Sequence, residues 1–146
     1  MKRKWIAALG ILLSIAVLAA VLVYFFVYNK PQPDFAKKKP DFEVSAADLL
    51  AEFKNNTAAA SQKYNGKVLL VSGVLSYVEQ SDSLLIAVFA IEVGLFGDEG
   101  VRMAFIPEFN DEIAAVLPGS QISVKGYCTG YNEVDVIMEH CSVPKK

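Results

Sequence analysis

Cys128, His140 and Cys141 lie close together near the C-terminus, and a thiol, an imidazole and a second thiol can hold a metal or form a bridge. Structural zinc takes four ligands in two closely spaced pairs, and this trio, with the chain's single histidine, falls short. His140 and Cys141 are also neighbours, so on a strand their side chains diverge. No metal is expected. A Cys128–Cys141 disulfide suits an oxidising compartment better. Its geometry is poor: if Gly130–Glu133 is a tight hairpin turn, Cys128 lies opposite about Asp135. Cys141 is then on the order of 20 Å away at strand rise, whereas a bridge needs Cα atoms within about 7 Å. The spacing favours two unpaired, buried cysteines.

Catalytic patterns are equally sparse. A Ser-His-Asp site would have to use His140, and no Gly-x-Ser-x-Gly elbow accompanies it. Gly94-x-x-Gly97-x-x-Gly100 has the wrong first spacing for a dinucleotide fingerprint, and Asp98 and Glu99 would face phosphate. The segment reads as a loop between strands, with a cation site at Asp98 and Glu99 as the lesser alternative. Leu95 and Phe96 inside it either fold back onto the core or form an exposed contact for a partner. No catalytic residue and no cofactor is implied, and the chain does not read as an enzyme.

The N-terminus carries a different message. Met1-Lys2-Arg3-Lys4 precedes an uncharged run from Trp5 to Tyr28. As a helix that run spans roughly 36 Å, enough for a hydrocarbon core of about 30 Å. It is too long for a signal-peptide apolar region, and it ends in Tyr24-Phe25-Phe26-Val27-Tyr28, a poor cleavage site and a good interfacial belt. A signal anchor is the expectation, with residues 1–4 as a cytoplasmic tail and 5–28 as the transmembrane helix. Lys30 and Lys37–Lys39 nearly balance the leading bases, but the leading group abuts the helix, which favours the N-terminus inside and the rest outside. This describes a single-pass protein of the cytoplasmic membrane whose domain lies outside. Residues 29–41, with Pro31, Pro33 and Pro40, read as a stiff linker. Its lysines either solvate it or meet anionic lipid heads.

From Phe42 to Lys146 the chain is long enough for one domain with its own core. It holds seven bases against fourteen acids, a formal charge of −7 that the whole-chain value of −2 conceals. Such a domain is repelled by polyphosphate. Ser45 is a predicted N-cap, with Asp48 at N3. Ala46, Leu49, Leu50, Phe53, Thr57, Ala60 and Tyr64 then form one apolar stripe, stopped by Asn65-Gly66, with Asn55-Asn56 as a weak point. Strands are predicted over 67–79 (bent at Gly73), 84–93, 101–106, 121–129 and 134–143. A short helix over 111–116, capped by Asn110, separates the third from the fourth.

One helix, three strands, a short helix and two strands is the order of the OB-fold. The predicted fold is therefore all-β dominated, a five-stranded Greek-key barrel with a preceding helix and a short helix between strands three and four. The segments Tyr64-Asn65-Gly66-Lys67-Val68, Val71-Ser72-Gly73, Leu117-Pro118-Gly119 and Val124-Lys125-Gly126-Tyr127-Cys128-Thr129-Gly130, closing on Cys141, resemble the bacterial tRNA_anti-like OB-fold family. The resemblance covers roughly residues 45–143 and implies a small membrane-anchored or lipoprotein domain without assigned activity.

OB barrels bind on the face of their second and third strands. On this chain that region includes Tyr77, Arg102, Tyr127 and Tyr131, with Lys125 near. The tyrosines could stack on bases or sugar rings. They could equally half-bury with their hydroxyls in water. Two functions remain open. One is a noncatalytic module facing the envelope that binds a protein, peptide or saccharide. The other is a nucleic-acid-binding domain on the cytoplasmic side. The acidic charge and the isolation of Lys67, Arg102 and Lys125 make nucleic acid the weaker reading.

Overall fold

Ser45 ends a strand and starts a helix at the same point. In this computed structural model, which describes residues 1–28 and 34–145, β1 (Phe42–Ser45) runs directly into α2. The Ser45 hydroxyl accepts the Asp48 N–H at 3.1 Å and donates to the Asp48 carboxylate at 2.7 Å, which satisfies a free helix-end amide. The predicted single helix is two, α2 (Ala46–Asn55) and α3 (Thr57–Tyr64). Asn56 leaves helical geometry, donates its N–H to the Glu52 carbonyl, and accepts the Ala59 N–H on its side-chain oxygen. One residue thus closes the first helix and caps the second. The stripe still faces inward: Ala46, Leu49, Leu50, Phe53, Ala60 and Tyr64 are buried, each large apolar side chain contributing about 1.5–3 kcal/mol. Thr57 is the exception. It is exposed, and its hydroxyl turns back to the Phe53 carbonyl.

The sheet has seven strands in the order β1-β2-β6-β7-β5-β4-β3. They are β2 (Val68–Val74), β3 (Tyr77–Ser81), β4 (Leu84–Gly94), β5 (Gly97–Phe105), β6 (Gln121–Tyr131) and β7 (Val136–Ser142). The predicted first strand is therefore divided. At Leu75 the backbone bonds the Gly119–Ser120 turn, and one residue later Ser76 donates to Val88. The chain changes partner there, from β6 to β4, and the two halves lie towards opposite ends of the order. This is an OB-fold-like β domain with helices, a mixed α/β architecture. Its ladder stays open, with continuity supplied by the chain at Leu75–Ser76 and not by a closed barrel of five strands. The extra edge strand β1 pairs parallel to β2. Gly73 serves packing: a Cβ there would lie 2.7 Å from the Phe89 ring.

Two other predictions change. The loop over 94–100 shrinks to Leu95–Phe96, because β5 already begins at Gly97. A Cβ on Gly100 would collide with the Phe89 carbonyl, so that glycine permits strand approach. The short helix is a 3-10 turn (Pro107–Phe109) followed by α4 (Asn110–Ala114), and Asn110 lies within α4, with no side-chain cap. The core between α2 and the sheet holds Phe53, Leu69, Phe89, Met103, Phe105 and Met138 among others.

The chain divides into two compact units, residues 1–33 and 34–146. In the first, α1 (Lys2–Val23) continues as a π turn over Tyr24–Tyr28. Lys4–Val27 is long and apolar enough to cross a membrane, with a mean hydropathy of 2.9, and its side chains are exposed throughout. A helix apolar on every face has no favourable place in water. Lys30, Pro31 and Pro33 of the predicted linker lie outside the described residues.

Candidate functional site

The five residues predicted to share a groove fall into three places, and the strand registers explain why. Tyr77 and Arg102 lie in one row across the sheet, on either side of Val88. Arg102 is already engaged: Nη1 donates to Glu79 at 2.6 Å and Nε to Asp135 at 2.9 Å. Asp135, largely buried, also accepts the Gly100 N–H at 2.9 Å. The Asn132 side-chain oxygen holds the turn by accepting the N–H groups of Val134 and Asp135. The hydrogen bond to Glu79, then the charges of both carboxylates, raise the Arg102 pKa. Its charge is spent inside the fold, clamping β3, β5 and the β6–β7 turn. Burial raises the Tyr77 hydroxyl.

Lys125 and Tyr127 alternate along β6 and face outward together. Two strands and two residues separate them from the Arg102 row, since Arg102 opposes Ile137 whereas Tyr127 opposes Glu139. Tyr131 points elsewhere. A bulge between Cys128 and Gly130 inverts the inside–outside alternation. It turns the Tyr131 ring onto Phe53 at 5.5 Å, and burial raises its hydroxyl pKa. Tyr131 is packing, not part of an open groove.

Among the described residues of the 34–146 unit, the β4–β5 tip is the clearest exposed apolar feature. Leu95 is 97% exposed and Phe96 88%, with Val93 beside them also open to solvent. Neither Leu95 nor Phe96 folds back onto the core. The hairpin is stiffened from below: Lys54 on α2 meets Glu92 at 2.7 Å and Glu99 at 2.6 Å. Those partners raise the Lys54 pKa, and Glu99 is consumed as an ion-pair partner in place of a cation site.

Sequence reasoning missed a cluster at the other end of β5. Phe35 packs against two rings, 5.0 Å from Tyr127 and 5.4 Å from His140, and the Lys125 ammonium donates to the Ala36 carbonyl. Next to it is a cleft of about 360 Å³ lined by apolar atoms of Leu84, Phe105, Ile106 and Pro107, with Glu139 and His140 at its wall. The Pro-Asp-Phe pattern before the lysines was the available signal, but nothing local distinguishes it from a free linker.

Cys128 and Cys141 are buried and unbonded. The β6–β7 turn lies two residues later than predicted, between Tyr131 and Val136, and β6 bulges before Gly130, so Cys128 opposes Met138 and not Asp135. Burial pushes the Cys128 thiol to about 11 and Cys141 well above its usual value. Among the described residues no group of three His, Cys, Asp or Glu side chains could hold a metal ion. Both thiols should resist a thiol reagent in the native protein at neutral pH and react as two equivalents once it is denatured without reductant. Zero equivalents after denaturation would mean a disulfide. A folded-state pKa above the unfolded value stabilises the protonated form. The Cys128 contribution is therefore intact below the ordinary thiol pKa of 9.0 and lost as pH rises towards about 11. The urea midpoint should fall across that window.

A family model described as tRNA_anti-like matches residues 1–143. Among solved structures, a candidate nucleic acid-binding lipoprotein from Klebsiella pneumoniae is similar at 20% identity and a TM-score of 0.57, covering 80% of this chain and 100% of that one. At that identity the likeness shows the fold alone. OBody AM3L15 bound to hen egg-white lysozyme has 13% identity, covers 62% of this chain and 92% of its own, and scores 0.40. A candidate aspartyl-tRNA synthetase from Leishmania major has 10% identity, covers 74% of this chain and 22% of its own, and scores 0.44. Neither of these two carries an argument. No match to a curated protein was found.

Proposed function

The chain belongs to the tRNA_anti-like family, and on that premise we propose that it is a noncatalytic OB-fold binding module, held at the membrane by Lys4–Val27 and facing the cell envelope. The observation that carries this reading is the state of its sheet cations. Arg102 is bonded by Glu79 and Asp135, and Lys125 is bonded to the Ala36 carbonyl. Phosphate recognition draws most of its affinity from cations free to displace counterions. A domain of net charge −7 whose central arginine is neutralised from within offers little of that. A protein, peptide or saccharide of the envelope is the ligand class that fits. Leu95 and Phe96, on a stiff hairpin, are the residues we assign to contact with a protein partner.

The second reading is nucleic-acid binding with the domain in the cytoplasm, favoured by the description of the Klebsiella lipoprotein. Fluorescence anisotropy separates the two, using the full chain in neutral-lipid nanodiscs and a labelled single-stranded oligonucleotide at physiological salt. No binding is expected. Micromolar affinity that weakens with salt and vanishes in Arg102→Ala would replace the envelope reading with this one. A topology reporter fused after Lys146 tests the orientation directly, and activity of a cytoplasm-dependent reporter would reverse it.

A further inference from the structure

The tether does not run free from Asp34 onward. Asp34 closes a turn by accepting the N–H groups of Lys37 and Lys38 on its carbonyl, and its carboxylate pairs with Lys37 at 2.8 Å. Phe35 projects from that turn onto the Tyr127 and His140 rings, and the next carbonyl receives Lys125. The far end is pinned separately. Asp41 donates its N–H to Val68 at 2.7 Å and accepts the Val68 N–H on its carboxylate at 2.8 Å, extending the β1–β2 pairing by one step. The result is a strap hinged at Asp41, with one aromatic side chain seated on the sheet.

The receiving surface is built for that seat. His140 has φ +52° inside β7, a left-handed conformation that a side-chain-bearing residue holds only where its surroundings dictate it. The register slips on both flanks of β7 at this point. The bulge swings the imidazole outward to Phe35 and returns Cys141 to the core, where Cys141 is fully buried. On the facing strand Gly126 sits opposite this same bulge and is the position against which Cys141 packs. One bulge in β7 therefore brings the His140 imidazole to the same ring that the Tyr127 phenol meets, with the Lys125 ammonium bonded one residue further on.

We propose that Lys125, Tyr127 and His140 form a peptide-binding platform, and that its resident ligand is the chain's own aromatic–basic segment Asp34–Lys38. The platform recognises a phenylalanine ring through contact with its two rings and the following backbone carbonyl through Lys125. Two ring contacts and one charge-assisted hydrogen bond hold a segment that is already tethered and leave it free to exchange. Departure of the strap opens the platform and lengthens the connection to the anchor by up to about 25 Å of chain. This goes beyond the envelope-module reading and stands without it, because it needs no external ligand.

The experiment uses the full chain in phosphatidylcholine nanodiscs and reads trypsin cleavage after Lys37 and Lys38 by mass. In the wild type the seated strap protects both bonds. Phe35→Ala should raise their cleavage at least tenfold, Phe35→Tyr should restore protection, and Lys125→Met should raise cleavage in the same direction without touching the core. A synthetic peptide of residues 34–41 at millimolar concentration should then shift the ring resonances of Tyr127 and His140 in Phe35→Ala and leave the wild type nearly unchanged. Equal cleavage of wild type and Phe35→Ala would overturn the strap. A Phe35→Ala protein whose Tyr127 and His140 resonances ignore the peptide would overturn the platform.

Discussion

Phe53→Ala should lower the stability of the folded unit by about 3–5 kcal/mol, the usual cost of removing a fully buried aromatic side chain and leaving a cavity. Phe53 is completely inaccessible. Its ring lies 6.0 Å from Tyr64 and 5.5 Å from Tyr131, so it joins α2 to α3 and to the end of β6. None of these neighbours can close the gap cheaply, because Tyr64 is itself tied through its hydroxyl to Glu52 at 2.8 Å and Tyr131 sits at the end of a bulged strand. Against a typical total of about 5–15 kcal/mol the loss is large. Urea denaturation of the full chain in detergent, followed by tyrosine fluorescence, measures it. A loss below about 1 kcal/mol would mean that the helix pair is not part of the cooperative core. Lys63→Ala provides the contrast. Its contacts are an exposed ion pair with Glu52 and a position 4.6 Å from the Tyr64 ring, and exposed, solvent-screened pairs of that kind contribute little, so the urea midpoint should barely move.

Leu13→Arg should cost about 2.5–3.5 kcal/mol of insertion free energy, the translocon value for a basic residue at the centre of a spanning helix. Residue 13 lies near the middle of Lys4–Val27, and no acid in that helix could partner the charge. Carbonate extraction of membranes reads the outcome: wild type and Leu13→Ala remain in the pellet, while Leu13→Arg shifts to the soluble or degraded fraction. Unchanged retention at unchanged expression would argue against a spanning helix. Mass spectrometry of the mature chain separates an anchor from a cleaved signal, since a retained anchor keeps the Lys4–Val27 segment and a removed signal does not.

Several elements were legible because their cause is local. The stripe of Leu49, Leu50, Phe53, Ala60 and Tyr64 repeats at helical spacing whatever it packs on, and all five are buried. Ser45 with Asp48 three residues later is a cap that forms from its own backbone. The apolar run needs only length and the absence of charge. The order of strands and helices likewise pointed to an OB-like domain, because alternation and turn residues act over a few positions.

What escaped the sequence is what depends on partners far along the chain. Arg102 reads as a free cation until Glu79 and Asp135 reach it from 23 and 33 positions away. Phe35 reads as part of a linker until β6 and β7 present Tyr127 and His140. The glycines at 97 and 100 read as a loop, yet they pair with Gly94 and Ala90 of β4, and the Phe89 backbone approaches too closely for a Cβ at Gly100. Most of all, a bulge adds one residue to a strand and reverses every side chain beyond it. Whether Tyr131 faced the core or the solvent, and whether His140 faced outward, was settled by the register of neighbouring strands. Local sequence determined the helices, the apolar segment and the class of fold; the tertiary pairing decided which polar side chains were left to meet anything else.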